Sequence, residues 1–424
     1  MPEHAGTSAA SSAASLPMDD VAAIKGLESW IAENGGFTHP SLRISCGARG
    51  RGVVAAEPLS SAELCRLPWR LLISEQVAEE SLSFGRDLRM SAEEFGSAPG
   101  LLLLSAFLLQ ERAQSSASSR DLRDQFYSPY YHVLPRCLAL PASWPEGHWL
   151  HAGIKGSHLE RQIRAKRHSL GLEFSLLQSF APSYTWEEFL WARCVVASRA
   201  YALRGQRCLV PWADLLNHGA SHEVQARYHV LDEVVQSDFV MTLTKDLTKD
   251  EEVLQSYGDK PNAMLLLDYG FVLPKSAISA SVSMTIPTPQ IPDTDPQVIL
   301  KKKQLWSSSG GRFGRETVLE LNRLNFDQHL QLQRAAAICS RSGEPTPGEP
   351  SDPVIEMAAR DGCKTAAEQM LRRSKPSVEM GEIGERTLQE QDWEIFAQQA
   401  CFQILDEERA VLQDFLSWLS DLSA

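Results

Sequence analysis

The order of textures along the chain constrains its fold most. Strand-like segments come first, helical texture runs from about residue 86 to 195, strand-like segments return, and helix fills the remainder. ARGRGVVAAEPL reads as a glycine turn feeding a strand that Pro58 ends, and WRLLIS as a second short strand. GLLLLSAFLLQER is too apolar for a surface helix and predicts a buried one. Thr185 and Glu188, three positions apart, form a capping box that opens the next helix. RYHVLDEVVQSD, DFVMTLTKDL and EEVLQSYG then read as strands. DKPNAMLLLDYG reads as a short helix, with Asp259 as its cap, Pro261 in its first turn and Gly270 at its left-handed end. Pro287, Pro289, Pro292 and Pro296 mark a linker, and RETVLELNRLNF beyond it has helical texture.

The expected organisation is therefore an α+β chain. A disordered tail covers residues 1–19, a mixed domain covers 20–275 with its helical insertion at about 86–195, a linker covers 276–300, and a helical domain covers 301–424. The length of 424 residues suits two or three domains. A net charge of −13 argues against nonspecific nucleic-acid binding and suits a basic partner, such as a lysine-bearing protein segment. The longest uncharged apolar run, near Leu101, is too short to span a bilayer. The eight cysteines are scattered without a CxxC, which predicts reduced thiols in an intracellular compartment. The first residues are rich in Ser and Ala but carry Glu3, Asp19 and Asp20. Cytoplasm or nucleus is favoured, and a chloroplast setting stays open.

Three stretches carry candidate chemistry. Gly47-Ala48-Arg49-Gly50-Arg51-Gly52 is glycine-rich, but a strand follows it. A dinucleotide loop needs a strand before and a helix after, so the stretch is a turn where backbone can approach a ligand. WADLLNHG places Asp214, Asn217 and His218 within a few positions. His222 and His229 lie nearby without the spacing of a metal-binding helix, and no GxSxG elbow supplies a nucleophile. No metal is expected. Taken alone, Asn217-His218 reads as a turn or a capped core histidine. Tyr257 and Tyr269, each followed by glycine, read alone as packing residues.

Together, and in this order, RGRGVVA, then RAY…PWADLLNHG, then EEVLQSYG…NAMLLLDYGF resemble the SET-domain methyltransferases. The pattern is most similar to the branch with a long helical insertion and a helical C-terminal domain. That branch contains the plant Rubisco large-subunit lysine methyltransferase. The resemblance covers residues 30 to 275 by motif and the rest by layout. It implies a SET-type β fold of short sheets with a pseudo-knot, in which the Asn-His segment tucks against the last SET strand. It also implies an all-α C-terminal domain that binds substrate.

The implied activity is S-adenosyl-L-methionine-dependent N-methylation of a lysine on a protein, by a monomer without nucleic-acid or membrane partners. By resemblance, Arg49, Gly50, Arg51 and Gly52 hold the methionine part of the cofactor, with Asn217, His218 and Arg199 contacting it. Tyr257 stands beside the transferred methyl. Tyr269 and Tyr228 line the lysine channel, and Asp214 is a substrate-side acid. Ser60-Ser61 stand where the family commonly has a Gly-Glu turn, and the loop before Tyr228 differs in length. Two alternatives remain at this level: a histidine methyltransferase, and a binding module without turnover. Tyr269 favours lysine over histidine. The four residues Asn217, His218, Tyr257 and Tyr269 favour catalysis over binding alone.

Overall fold

The computed structural model describes residues 17–47, 49–116, 126–136, 138, 140–145, 147–220, 222–232, 237–274, 280–313, 317–345, 352–373 and 388–422. They form two compact units. The first comprises Met1–Ser143 and His168–Asp259, the second Trp144–Arg167 and Lys260–Ala424.

The first unit is built from short sheets around helices. Its largest sheet has four strands in the order Phe37–Thr38, Glu63–Pro68, Ser237–Leu243, Ala226–Asp232, all antiparallel. Ser237–Leu243 buries Phe239, Val240 and Met241 in succession rather than alternately, as a central strand covered on both faces does. Leu42–Gly47 and Gly50–Ala55 form a separate hairpin, and Ile73–Ser74, Gln206–Leu209 and Tyr201–Leu203 a three-stranded sheet. The Asn-His segment does meet the late strand: Asn217 pairs with Leu254 and His218 with Gln255, in parallel.

Helices supply most of this unit's core. In Pro99–Ser116 the run Leu102–Leu104 and Ala106–Leu109 is almost wholly buried, as its all-round apolarity requires. Its one polar member, Ser105, donates to the carbonyl of Leu101 one turn back, so no polar group is stranded. The capping box forms as expected on helix Trp186–Arg199. Thr185 Oγ1 accepts from the Glu188 amide at 3.2 Å, and Glu188 returns the bond to the Thr185 amide at 2.9 Å. Phe189, Val195 and Val196 of this helix join the same core.

The second unit is mainly helical, with Asn262–Tyr269, Pro296–Ser308, Phe326–Cys339, Pro353–Arg373 and Leu388–Asp421. It also holds a two-stranded antiparallel sheet, Val282–Ile286 with Thr317–Leu321. The stretch expected as a linker thus contains a strand, and helix Pro296–Ser308 starts before its expected end. Val282, Met284 and Leu321 pack with Leu330, Leu412 and Phe415, which gives this sheet a core that the prolines do not advertise. RETVLELNRLNF, expected as helix, supplies the strand Thr317–Leu321 and then the start of helix Phe326–Cys339.

The boundary between the units also differs from the expected one at 275. Helix Asn262–Tyr269 packs Ala263, Leu266 and Leu267 with Trp144, Leu150 and Ile404, so it belongs to the second unit. No side chain caps that helix, and Pro261 is its N-cap instead of Asp259. Gly270 does close it, at φ +80°. At the other end of the chain, helix Met18–Glu33 takes in the last two residues of the expected tail, while residues 1–16 lie outside the described set.

Three buried titratable groups give the second unit a pH optimum. Burial pushes His158 and His329 down from 6.5 to about 4 and pushes Glu408 up from 4.5 to about 8. The neutral histidines contribute stability that is complete above pH 6.5 and lost as pH falls through 4. Glu408 contributes stability that is complete below pH 4.5 and lost as pH rises through 8. Where the windows overlap, two histidines outweigh one glutamate. The melting temperature of this unit should peak near pH 6.5 in a pH series followed by calorimetry. Glu408→Gln should raise it at pH 8 and leave the acid limb in place.

Candidate active site

The glycine turn and WADLLNHG meet in the first unit. Gly47 pairs with Gly50 across the hairpin end, and Gly50 takes φ +81°, which an L side chain resists. Ala48 of this turn lies outside the described residues. Gly52 is favoured for a different reason. A Cβ there would stand 2.4 Å from Glu252 Oε1 and 2.7 Å from Asn217 Nδ2. Its absence lets the Asn217 amide reach the hairpin and donate to Arg51 O at 3.2 Å, Arg49 O at 3.4 Å and Glu252 Oε1 at 2.8 Å. Arg49 is paired with Glu223 at 3.0 Å and Glu252 at 3.3 Å.

The turn before Asn217 is strained. Trp212 sits at φ +68°, ψ −47°, outside the regions open to a bulky residue, at a cost of about 1–3 kcal/mol. It is held there by full burial and by Nε1 donating to Glu28 at 3.4 Å. The distortion turns the carbonyls of the following residues toward donors. Ala213 O accepts from Tyr201 Oη and Gln255 Nε2, Asp214 O from Arg199 Nη1 at 2.8 Å, and Leu216 O from Tyr257 Oη at 2.8 Å and Gln255 Nε2 at 3.2 Å.

His218 is a prop. Its Nδ1 accepts the backbone N–H of Tyr257 at 3.0 Å, and its ring stacks on that of Tyr257 at 5.1 Å. The accepting nitrogen must be unprotonated, which fixes the tautomer. Tyr257 is thereby clamped from both ends, by His218 at its amide and Leu216 at its hydroxyl.

Charge is concentrated beside this clamp. Arg199 Nη1 lies 3.4 Å from Asp214 Oδ2, and the Asp214 side chain is 1% exposed. Burial, the largest influence, opposes the charge of Arg199, but Asp214, Tyr130 and Tyr257 together outweigh it and raise the guanidinium's pKa. Arg51 is shifted the other way, first by burial and then by the like charge of Arg199. Its Nη2 donates to the Val133 carbonyl. So Arg51 contributes a half-buried side chain as well as the backbone that the sequence reading assigned to it.

Tyr228, on strand Ala226–Asp232, stacks on Phe239 at 5.5 Å and meets Tyr201 edge-on at 5.2 Å. Tyr201 was missed in the sequence, although it adjoins Arg199 in the SRAY stretch. Burial raises its pKa well above 10, and Tyr257 adds to the shift. Gln255 and Glu252 were also missed inside EEVLQSYG, and Tyr130 inside SPYYHVLP. Tyr269 ends helix Asn262–Tyr269 in the second unit, half-buried with its ring 6.1 Å from that of Phe271. Among the described residues, no group of three His, Cys, Asp or Glu side chains is arranged to hold a metal ion. No described helix is long and apolar enough to cross a membrane.

Comparison with solved structures gives the fold. The chain superposes on the SET domain of LSMT bound to lysine and AdoHcy with a TM-score of 0.69, covering 94% of this chain and 91% of that one at 20% identity. Rubisco LSMT bound to AdoMet gives 0.64 at 22% identity, with 94% and 92% covered. This is the SET fold. In sequence, the chain is similar to SET domain-containing protein 4 of Homo sapiens, 30% identical over 47% of this chain and 47% of that protein. It is 26% identical to the chloroplastic Rubisco large subunit N-methyltransferase of Pisum sativum over 58% of this chain and 50% of that protein. The N-lysine methyltransferase SETD6 of Mus musculus is 27% identical over 59% and 54%. The matched region thus spans about half the length of these curated relatives. No protein-family model matches the chain. The resemblance to the SET-domain lysine methyltransferases therefore holds both in sequence and in fold.

The close approach at Gly52 carries a direct test. Gly52→Ala should push the Asn217 amide off the hairpin and destabilise the first unit by about 1–3 kcal/mol, read as a lower melting temperature. A variant as stable as the parent would mean that the Asn217 contact is dispensable.

Proposed function

We propose that the chain is an S-adenosyl-L-methionine-dependent protein-lysine N-methyltransferase. The observation that carries this reading is the clamp on Tyr257, set beside the Asn217–hairpin junction by the parallel pairing of Asn217–His218 with Leu254–Gln255. The names of the similar proteins, two of them N-methyltransferases, support it.

The residues at the junction fit the cofactor. At Gly47 and Gly50 no atom lies within 4 Å of where a Cβ would stand, so a ligand can approach the backbone. Arg49 with Glu223 and Glu252 presents both charge signs to an amino-acid moiety and a sulfonium. We assign Arg49, Gly50, Arg51, Gly52, Asn217, His218 and Arg199 to the cofactor side. We assign Asp214, Tyr228 and Tyr269 to the substrate side, with Tyr257 and Tyr269 catalytic. When bound, the cofactor supplies an electrophilic methyl group.

The chain's own residues must deliver a neutral amine in line with it. Tyr257 donates its hydroxyl hydrogen to Leu216 O, which fixes the hydroxyl's rotation and presents its oxygen to the amine as an acceptor that orients it. The aromatic group of Tyr201, Tyr228 and Phe239 excludes water. An ammonium has no lone pair, so the substrate must first lose a proton. Desolvation among cations favours that loss without a dedicated base. His218 does not serve as the base, because its Nδ1 already accepts from Tyr257. The substrate is a protein, acted on by a monomer, with the SET-type portion doing the chemistry and the helical portion recruiting. Cytoplasm, nucleus and chloroplast all suit this reading; two relatives are named as chloroplastic.

Tritiated-methyl labelling of a cognate extract, followed by mass spectrometry, should yield methyllysine on a protein. Methylhistidine, or cofactor binding with no transfer, would sink the assignment. Tyr257→Phe should lower methyl transfer about 100-fold while the chain stays folded. Full activity in that variant would move the chemistry elsewhere.

A further inference from the structure

We infer that Tyr130, from the helical insertion, is a positioning residue that acts through Asp214. The inference rests on the methyltransferase reading above and adds to it a residue that the sequence motifs do not mark.

Tyr130 lies in the short helix Ser128–Tyr131, which Pro129 starts. It is fully buried. Its hydroxyl donates to Asp214 Oδ2 at 2.6 Å, the length of a bond to an ionised acceptor. The same oxygen faces Arg199 Nη1 at 3.4 Å. Oδ2 is therefore served twice, while Asp214 Oδ1 and Arg199 Nε are buried without a hydrogen-bond partner among the described residues. A buried carboxylate oxygen left bare is costly, so such an atom in a built cluster points to a visiting donor. The donor with the matching chemistry is the N–H of the substrate amine.

The backbone around Asp214 is already fixed. Tyr201 and Gln255 hold Ala213 O, Arg199 holds Asp214 O, and Tyr257 and Gln255 hold Leu216 O. What remains free is rotation of the Asp214 carboxylate itself. A rigid donor on Oδ2 removes that freedom and directs Oδ1 at one place. The core packing of Tyr130 makes it such a donor, and burial raises its pKa well above 10, so the hydroxyl keeps its proton. A purely structural tyrosine would affect folding alone. A positioning tyrosine affects turnover, and only while Asp214 carries its charge.

The test compares Y130F, D214N and the double variant in the full-length chain. It measures kcat and KM for methyl transfer, the Kd for S-adenosyl-L-methionine by calorimetry, and the melting temperature. Y130F should lower kcat/KM by about tenfold or more and keep the cofactor Kd. Added to D214N, the same change should alter kcat/KM by less than about twofold, because the group it serves is gone. Full activity of Y130F, or an equal loss in both backgrounds, overturns the inference. Should Y130F alone fail to fold, the D214N background decides, since removing the charge removes the need for the donor. A wild-type chain that transfers no methyl defeats the methyltransferase reading itself, and this inference with it. The parent control separates that result from a failure of Tyr130 alone.

Discussion

Two residues of parallel pairing hold the site together. Asn217 lies beside Leu254 and His218 beside Gln255, although 37 positions separate each pair in sequence. Each residue of the pair then spends its side chain on a different neighbour. Asn217 reaches back to the glycine hairpin, and His218 reaches forward to the amide of Tyr257. Remove the pairing and the hairpin, the strained turn at Trp212 and the tyrosine lose their common frame. So short a ladder cannot persist alone, and it survives because Leu216, Val253 and Leu254 are buried around it.

A second constraint is the charge enclosed beside that frame. Arg51, Arg199 and Asp214 sit where water is scarce, with one carboxylate facing two guanidiniums. Such an arrangement contributes little to stability relative to an apolar core and is weak evidence for it. Its partners come from four separate stretches of the chain: the hairpin, the helical insertion, the end of helix Trp186–Arg199 and the turn at Asp214. The insertion thus reaches this charge cluster, since it provides both Tyr130 and the Val133 carbonyl that receives Arg51.

Much of the layout was legible from local signals. The capping box at Thr185, the buried helix through Leu104, the hairpin glycines and the left-handed Gly270 all depend on residues within a few positions of one another. The strand Thr317–Leu321 was read as helix because its partner, Val282–Ile286, lies across a proline-rich stretch that reads as linker. The boundary at 275 failed for a related reason. The apolar face of Asn262–Tyr269 shows that the helix packs, but not that its partners are Trp144 and Ile404.

The sequence by itself determined the resemblance: the hairpin glycines, Asn217, His218 and the tyrosines stand in an order that resembles one family and few others. Local order also fixed the backbone freedom at Gly50, because only glycine rests easily at its dihedral angle. Tertiary structure alone decided what those groups touch. His218 became a support for Tyr257 because a strand brought an amide to its Nδ1. Gly52 gained a packing role because the side-chain ends of Asn217 and Glu252 occupy the space of its missing side chain. Tyr130 joined Asp214 because folding set its hydroxyl against a carboxylate 84 positions away. Hydrogen bonds act over a few ångströms in space, and no pattern along the chain measures that distance.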